Sequence, residues 1–263
     1  MGVVNVTPDS FSDGGRFLDE AAAVSHARRL IAEGADILDV GGESTRPGAE
    51  PVAEADEIAR VVPVIEAVRH ESGIPISVDT MKPSVARAAV AAGATIWNDV
   101  AALRGEGSLE AAAELGCGVV LMHMQGEPRT MQRSPTYEDV VREVRDFLAR
   151  RAAAAEAAGV ARERIWIDPG IGFGKTLEHN LMLFRALPEL AALGFPVVLG
   201  VSRKRFVQFL DPSAEQATDR LGGSLAAALH GADRGAAVLR VHDVRETVQA
   251  LAVWSAIRQQ PRA

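Results

Sequence analysis

Amide, carboxylate and basic side chains recur directly after short apolar stretches of this chain. They are Asn5, Asp79, Asn98, His123, Asp168, Lys204, Arg240 and His242. The two carboxylates and Asn98 could bind a flat heterocycle with an amidine-like donor edge, because a carboxylate accepts two parallel N–H bonds. A competing functional interpretation is a metal site formed by Asp79 and Asp168. A purely structural interpretation is that these side chains cap the helices that follow them.

Two basic residues near the end of the chain suggest an anion-binding site. Arg240 and His242 alternate along an apolar stretch, so their side chains should point the same way. A planar guanidinium beside an imidazole suits a phosphate or pyrophosphate, whereas a cap with an ion pair to Asp243 is the structural alternative. Only three of the 28 basic residues are lysines. The ammonium of Lys204 is therefore predicted to donate to ring carbonyl or nitrogen acceptors, with an ordinary surface lysine as the alternative.

Two polar loops complete the candidate site. Asn5 begins the stretch 5–15, which has more hydroxyls and carboxylates than a strand-to-helix connection requires. We therefore favour a metal or anion role for Asn5 over an Asx turn. Thr45, Arg46 and Pro47 lie in the stretch 41–48, which has glycines at both ends. This stretch is interpreted either as a ligand-binding loop or as a flexible surface loop with a solvated Arg46.

Eight apolar, β-branched stretches are predicted to be strands, and most of the polar residues follow one of them. The stretches are residues 3–6, 36–40, 75–78, 95–97, 119–122, 165–167, 197–201 and 237–241. Apolar residues at helical spacing lie between them, as in 58–68 and 140–148. Asp19 is predicted to cap the first helix and Gly34 to end it, while Gly93 should end the helix that starts near Pro83.

Alternating strands and helices are compatible with an open doubly wound sheet or a closed (β/α)8 TIM barrel. At about 4.8 Å per strand, an open sheet would spread the polar residues over roughly 34 Å, too far to meet one small ligand. Barrel closure would bring them to one mouth. Eight strand-helix units in 263 residues also suit such a barrel. The prediction is an α/β protein, a single-domain TIM barrel over residues 1–263.

Composition narrows the class of function. The chain has 48% hydrophobic and 24% charged residues, as expected of a folded domain, and its net charge of −7 argues against general nucleic-acid binding. The single cysteine, Cys117, rules out an intramolecular disulfide and is predicted to be a buried thiol. The longest apolar run, residues 115–124, is too short to cross a membrane, so we expect a cytoplasmic protein without membrane attachment.

Over essentially its whole length the chain resembles the dihydropteroate synthase family. The matching segments occur in order at residues 5–15, 42–48, 77–80, 98–99, 168–175, 202–204 and 240–243. The resemblance implies condensation of a dihydropterin methyl pyrophosphate with p-aminobenzoate. The products would be dihydropteroate and pyrophosphate, in the step of folate synthesis that sulfonamides block. It also implies a homodimer.

The resemblance assigns roles to residues that match the family motifs. Asp79, Asn98, Asp168 and Lys204 would hold the pterin, with Arg240 against its face. Asn5, Arg240 and His242 would bind the pyrophosphate, and Asn5 would also ligate Mg²⁺. Thr45, Arg46 and Pro47 would belong to a loop that closes over p-aminobenzoate. No catalytic acid or base is assigned, because an arylamine is already unprotonated at neutral pH.

The chain departs from the family pattern in two places. Arg205 follows Lys204, where the family commonly has a small hydroxyl residue that would help to hold the benzoate carboxylate. The chain also begins almost at the first strand, whereas family members usually carry a short leading segment. Two other functions stay open from the sequence: a pterin-binding domain that passes a methyl group from a reduced folate to a corrinoid, and a non-catalytic pterin-binding barrel. The Thr45–Arg46 loop and the Arg240–His242 pair favour the synthase.

Overall fold

Parallel strands pair in the order in which they occur along the chain. The computed structural model describes residues 1–6, 15–44, 50–127 and 129–258, and this part contains one eight-stranded sheet. The strands are β1 (Gly2–Asn5), β2 (Leu38–Gly41), β3 (Ile76–Asp79), β4 (Ile96–Asp99), β5 (Gly118–Met122), β6 (Ile165–Asp168), β7 (Val197–Gly200) and β8 (Ala236–Arg240). Each overlaps one of the eight predicted strands.

Hydrogen bonds between the first and last strands close the sheet. The N–H of Val3 donates to the carbonyl of Val241 at 3.0 Å, and the N–H of Val241 donates to the carbonyl of Met1 at 2.9 Å. Gly2 and Val241 form a parallel bridge. The fold is therefore the predicted (β/α)8 barrel, and the open doubly wound sheet is wrong.

Helices follow the strands and surround the barrel. They are α1 (Gly15–Ala32), α2 (Glu54–Glu71), α3 (Pro83–Ala91), α4 (Ser108–Leu115), α5 (Val140–Ala157), α6 (Leu177–Arg185), α7 (Leu187–Ala191), α8 (Phe206–Leu210), α9 (Leu221–Asp233) and α10 (Val244–Arg258). Among the helices of the described residues, none combines the length and apolar character needed to span a bilayer.

Two of the three predicted helix boundaries agree with the structure. Gly34 and Gly93 follow α1 and α3 with φ angles of +99° and +117°, and glycine adopts such angles without steric cost. The prediction that Asp19 caps α1 is wrong, because the helix already begins at Gly15 and Asp19 lies within it. Capping preference alone did not locate this helix start.

Alternation of side chains along the strands separates two apolar layers. Outward residues such as Val40, Leu121 and Ile167 belong to the large core cluster that also includes the inner faces of the helices. A smaller cluster fills the barrel itself and is formed by Ile37, Ile96, Val120, Trp166, Val198 and Val238. This inner cluster packs the barrel interior, and the polar residues at the strand ends lie at the mouth. The predicted core thiol, Cys117, is buried.

The inner cluster should contribute strongly to stability. Ile96 is 6% exposed within it, whereas Ile257 on α10 is 78% exposed. We expect Ile96→Ala to lower the free energy of unfolding by about 2–5 kcal/mol, because it removes buried methyl groups and leaves a cavity. The matched change Ile257→Ala should alter it by less than about 0.5 kcal/mol. Urea unfolding of both variants checks this, and equal losses would contradict the assigned packing.

Candidate pterin site

Strand register brings the predicted polar residues to one end of the barrel. Asn5, Asp79, Asp168 and Arg240 are the last residues of β1, β3, β6 and β8, and Asn98 precedes the last residue of β4. Asn5 pairs with Gly41, Gly41 with Asp79, and Asp79 with Asn98, so these positions share one level of the barrel. The carboxyl ends of the strands form the mouth, where ligands bind in this fold.

Arg240 lies at the centre of a buried polar network in this mouth. Its Nε donates to Oδ2 of Asp39 at 2.6 Å, and its Nη2 donates to Oδ2 of Asp79 at 2.7 Å. Nδ2 of Asn98 lies 3.3 Å from the same Asp39 oxygen. The network therefore joins β8 to β2, β3 and β4. Asp243, considered as an ion-pair partner from the sequence, instead accepts two hydrogen bonds from Arg203.

Sequence reasoning missed Asp39. This carboxylate is fully buried inside β2, and its Oδ1 has no hydrogen-bond partner among the described residues. The available signal was an acidic residue within the apolar stretch 36–40, where a charge is costly unless it is paired. Its position two residues before Gly41 puts it on the inward face of the strand.

Helix capping does not explain Asp79, Asn98 or Asp168. The next helices after these residues begin only at Pro83, Ser108 and Leu177, which leaves several residues between each side chain and the helix start. Oδ1 of Asp168 accepts a hydrogen bond from the N–H of Gly170 at 2.6 Å, which is a turn contact. The other carboxylate oxygen of Asp168 therefore stays available at the mouth.

Burial shifts the pKa of the charged groups in the mouth. It raises the pKa of Asp79 to about 7, with the Arg240 charge opposing this shift and the Asp39 charge adding to it. Burial also raises the pKa of Asp168, against the opposing charge of Lys204. The pKa of Lys204 is lowered by burial to about 8, with Asp168 opposing. Such shifts concentrate at functional sites, because charged groups are removed from water there.

Lys204 is part of the mouth and is not an ordinary surface lysine. Its ammonium donates to the carbonyl of Ile171 and lies 4.7 Å from the ring centroid of Phe173. The neighbouring Arg205 is exposed, and its guanidinium lies 5.6 Å from the ring centroid of Phe209. Only the first of these two basic side chains therefore faces the polar network.

A buried pair formed by Lys175 and His123 supports the loop after β6. Nζ of Lys175 lies 2.9 Å from Nδ1 of His123 and donates to the carbonyl of Phe173 at 2.9 Å. Burial lowers the pKa of His123 to about 2, with the Lys175 charge adding to this, so the imidazole is neutral. The sequence predicted that His123 points to the barrel mouth, and the structure shows its imidazole paired with Lys175. Lys175 was missed, since its glycine-rich surroundings gave no hint of a partner 52 residues away.

An apolar wall borders the polar groups. It is a cluster of buried side chains, Val100, Met122, Met124 and Met131, with Met81 and Phe173 packed against them. Met122 pairs in register with Asp168, so the apolar wall lies directly beside this carboxylate residue. Flexible, polarisable methionine side chains suit the faces of a flat aromatic ligand. The sequence gave no periodic signal for this cluster, since its members come from several strands and loops.

The remaining predicted residues differ in how far the structure describes them. Oγ of Ser202 accepts a hydrogen bond from the backbone N–H of His242 at 3.1 Å and lies 3.1 Å from its Nδ1. Asn5 is half-buried at the end of β1. Thr45, Arg46 and Pro47 lie outside the described residues, as does most of the stretch 5–15.

Comparison with known proteins shows the family of the chain. A family model described as pterin binding enzyme matches residues 1–242. The dihydropteroate synthase of Escherichia coli strain K12 is 49% identical over 257 residues, which cover 97% of this chain and 90% of the relative. A solved dihydropteroate synthase of Xanthomonas albilineans with 4-aminobenzoic acid is 54% identical, with a TM-score of 0.93 over 99% of this chain and 93% of that chain.

A second structure of the Xanthomonas albilineans enzyme, in complex with 7,8-dihydropteroate, superposes with a TM-score of 0.89 at 51% identity. The superposition covers 99% of this chain and 93% of that chain. These relatives match along nearly the full length of both chains. The chain therefore belongs to the pterin-binding enzymes and, within them, to the dihydropteroate synthase family.

Proposed function

We propose that the chain transfers the pterinylmethyl group of 6-hydroxymethyl-7,8-dihydropterin pyrophosphate to p-aminobenzoate. The products are 7,8-dihydropteroate and pyrophosphate, in folate biosynthesis. The observation that carries this proposal is the buried network of Arg240, Asp39, Asp79 and Asn98 at the barrel mouth. It occurs in a chain about half identical to dihydropteroate synthases, one of which is solved with 7,8-dihydropteroate.

The pterin is held by acceptors on one side and donors on the other. Asp79, Asn98 and Asp168 provide oxygen acceptors for the N–H edge of the ring, and Lys204 donates to its carbonyl or nitrogen acceptors. Arg240 lies against the face of the ring. Its guanidinium is well suited to this role, since hydrogen bonds to two carboxylates fix its plane.

The reaction breaks the C–O bond between the pterin methylene and pyrophosphate and forms a C–N bond to the arylamine. The amine nitrogen loses one proton to solvent water, since no protein base is assigned, and the electron pair of the C–O bond leaves with pyrophosphate. The protein must therefore stabilise the departing anion and the positive charge that develops on the pterin methylene. Asn5, Arg240 and His242 bind the pyrophosphate, while the buried carboxylates favour the developing cation.

Mg²⁺ is the proposed metal, with Asn5 as its ligand from the protein. Mg²⁺ is commonly held by one or two protein oxygens together with substrate phosphate oxygens and water. Asn5 offers an amide oxygen at the mouth, and the described residues contain no cluster of three or more His, Cys, Asp or Glu side chains suited to a metal. One amide oxygen from the protein, with the other ligands supplied by pyrophosphate and water, fits an ion that binds together with pyrophosphate. The bound ion would neutralise charge on the leaving group.

The second substrate is assigned to the loop that carries Thr45, Arg46 and Pro47. The described residues flanking that loop are firmly held. Lys82 donates to Oε2 of Glu43 at 3.1 Å and to the carbonyl of Val52 at 2.6 Å. The N–H of Val52 in turn donates to Oε1 of Glu43 at 2.8 Å. These contacts support a defined position for the start and end of the loop beside β3.

A homodimer in the cytoplasm is part of the proposal. Phe209 and Leu210 on α8 are 56% and 58% exposed, beside a groove whose lining includes Phe184 and Ala227. Covering such an apolar surface with a second copy would remove it from water. Sedimentation would then give about twice the chain mass of 27.8 kDa.

The proposed location in the cytoplasm rests on the cysteine. The single buried cysteine, Cys117, suits a reducing compartment.

We expect pyrophosphate release to depend on p-aminobenzoate. A synthase releases pyrophosphate at a rate that rises and saturates with p-aminobenzoate, and each pyrophosphate is matched by one dihydropteroate. A methyltransferase domain or a non-catalytic pterin-binding barrel releases none above the background rate. Phosphate detection after pyrophosphatase treatment, together with chromatography of the pterin product, measures both quantities. Absence of p-aminobenzoate-dependent turnover would refute the proposed activity.

Asp168→Asn should weaken pterin binding. The change replaces one acceptor oxygen by an N–H group, so a buried N–H of the ligand loses its partner. An unpaired buried donor costs about 1–3 kcal/mol, and more where a charged partner is lost, so the affinity should fall roughly tenfold to several hundredfold. Calorimetric titration with a pterin lacking pyrophosphate measures the effect, and Asp146→Asn, at an exposed position of α5, is the matched control. Equal affinity in the two variants, with equal unfolding temperatures, would remove Asp168 from the pterin site.

Asn5→Ala should impair turnover through the leaving group. We expect a higher Mg²⁺ concentration for half-maximal turnover, because one protein oxygen is lost, and unchanged affinity for a pterin without pyrophosphate. Turnover as a function of Mg²⁺, in wild type and variant, tests the first point, and calorimetry tests the second. Full activity with an unchanged Mg²⁺ dependence would show that Asn5 is not a metal ligand.

A further inference from the structure

The turn after Asn98 has an unusual backbone. Ala102 and Leu103 have φ angles of +55° and +56°, a left-handed conformation that disfavours any residue with a Cβ atom. Both residues are fully buried or nearly so, at 0% and 1% exposure. Two consecutive strained residues persist only where surrounding contacts hold them, and such strain tends to occur at functional sites.

Two charged side chains hold this turn from opposite sides. Asp99 accepts hydrogen bonds from the N–H groups of Ala101 and Leu103, both at 2.7 Å. Arg151 on α5 donates from Nε to the carbonyl of Ala102 at 2.7 Å and from Nη2 to the carbonyl of Leu103 at 2.8 Å. Arg151 thus binds the carbonyls of both strained residues. Asp99 alone could not hold these carbonyls, since a carboxylate only accepts hydrogen bonds.

The restrained turn lies directly beside pterin-site residues. Asn98 precedes Asp99 in β4 and contacts Asp39. Val100 follows Asp99 and belongs to the apolar wall described above. If Ala102 and Leu103 relaxed to ordinary backbone angles, the chain on both sides of Asp99 would shift. The position of the Asn98 amide therefore depends on contacts made outside the mouth.

A second strained turn in the described part of the chain also lies close in sequence to a candidate pterin ligand, and an arginine binds its backbone as well. Arg203 has a φ angle of +59° and directly precedes Lys204. Its carbonyl accepts a hydrogen bond at 3.1 Å from Nη1 of Arg220. All positive-φ residues other than glycine among the described residues thus lie within five residues of a candidate pterin ligand, and each has its carbonyl bound by an arginine.

We propose that Arg151 is a positioning residue for pterin binding, which acts by holding the strained 101–103 turn and thereby the Asn98 amide. The inference rests on the proposed role of Asn98. Arg151 itself does not touch the ligand. Its guanidinium bridges two carbonyls as a fork, a geometry that a single ammonium cannot reproduce.

The test compares Arg151→Met with Arg145→Met on the same helix, whose guanidinium pairs with exposed Asp146. Calorimetry with a pterin lacking pyrophosphate should show affinity lowered roughly tenfold in Arg151→Met, the size expected if Ala102 alone leaves its left-handed conformation while Asp99 still binds the N–H of Leu103. The affinity should be unchanged in Arg145→Met. The KM for p-aminobenzoate should stay near its wild-type value in both.

Ala102→Gly in the Arg151→Met background separates positioning from general destabilisation. Glycine adopts a positive φ without strain, so the turn should keep its shape without Arg151, and most of the pterin affinity should return. A purely structural role of Arg151 would not be rescued in this way, because glycine adds no contact. Asp99→Asn, which loses one acceptor oxygen, provides an independent variant if Arg151→Met does not fold, and it should weaken pterin binding in the same direction.

The outcomes are distinct. Wild-type pterin affinity in folded Arg151→Met, or in folded Asp99→Asn where Arg151→Met does not fold, overturns the proposal. A weakened Arg151→Met that Ala102→Gly leaves unrescued also overturns it. Wild-type affinity in Asn98→Ala overturns instead the proposed role of Asn98 in the pterin site. Weakened binding in Asn98→Ala and Arg151→Met, with rescue by Ala102→Gly, supports the proposal.

Discussion

The guanidinium of Arg240 joins opposite sides of the barrel mouth, and the polar site is arranged around it. It comes from the last strand and donates to carboxylates on the second and third, Asp39 and Asp79. Buried ion pairs offset their desolvation only when geometry and additional hydrogen bonds are good. Here the Asn98 amide adds a contact to Asp39. Removing the Arg240 charge would leave both carboxylates buried without a compensating cation, so the three residues act as a unit.

The loop after β6 is ordered by side chains that bind its backbone, three of them from other parts of the chain. The carbonyls of residues 171–174 each accept a hydrogen bond, in turn from Lys204, Gln132, Lys175 and Tyr137. Gly170 makes the close approach of this loop to β5 possible, since a Cβ there would lie 1.9 Å from the carbonyl oxygen of His123. The loop that follows Asp168 is thus held by contacts within the protein itself, and such preorganisation lowers the entropic cost of binding.

The sequence predicted those features that depend on local pattern. Strands are visible because apolar residues buried on both faces form short runs, and polar residues mark where these runs end. Asp39 and Lys175 could not be assigned in this way, because their roles depend on partners brought close by strand register and barrel closure. The strained residues Ala102 and Leu103 have ordinary residue types, so their backbone angles follow from Asp99 and Arg151 and not from local preference.

Barrel closure and completion of the site depend on the same strand. Asp39 and Arg240 are 201 residues apart in the sequence, and Val241 makes the hydrogen bonds that close the sheet against β1. Contacts of such separation form late, since a long stretch of chain must first be ordered. As the chain leaves the ribosome, seven strands emerge before the cation that balances Asp39 and Asp79. Until then the two carboxylates oppose burial of the inner face, and a nascent chain without its last strand has no complete polar network at the barrel mouth.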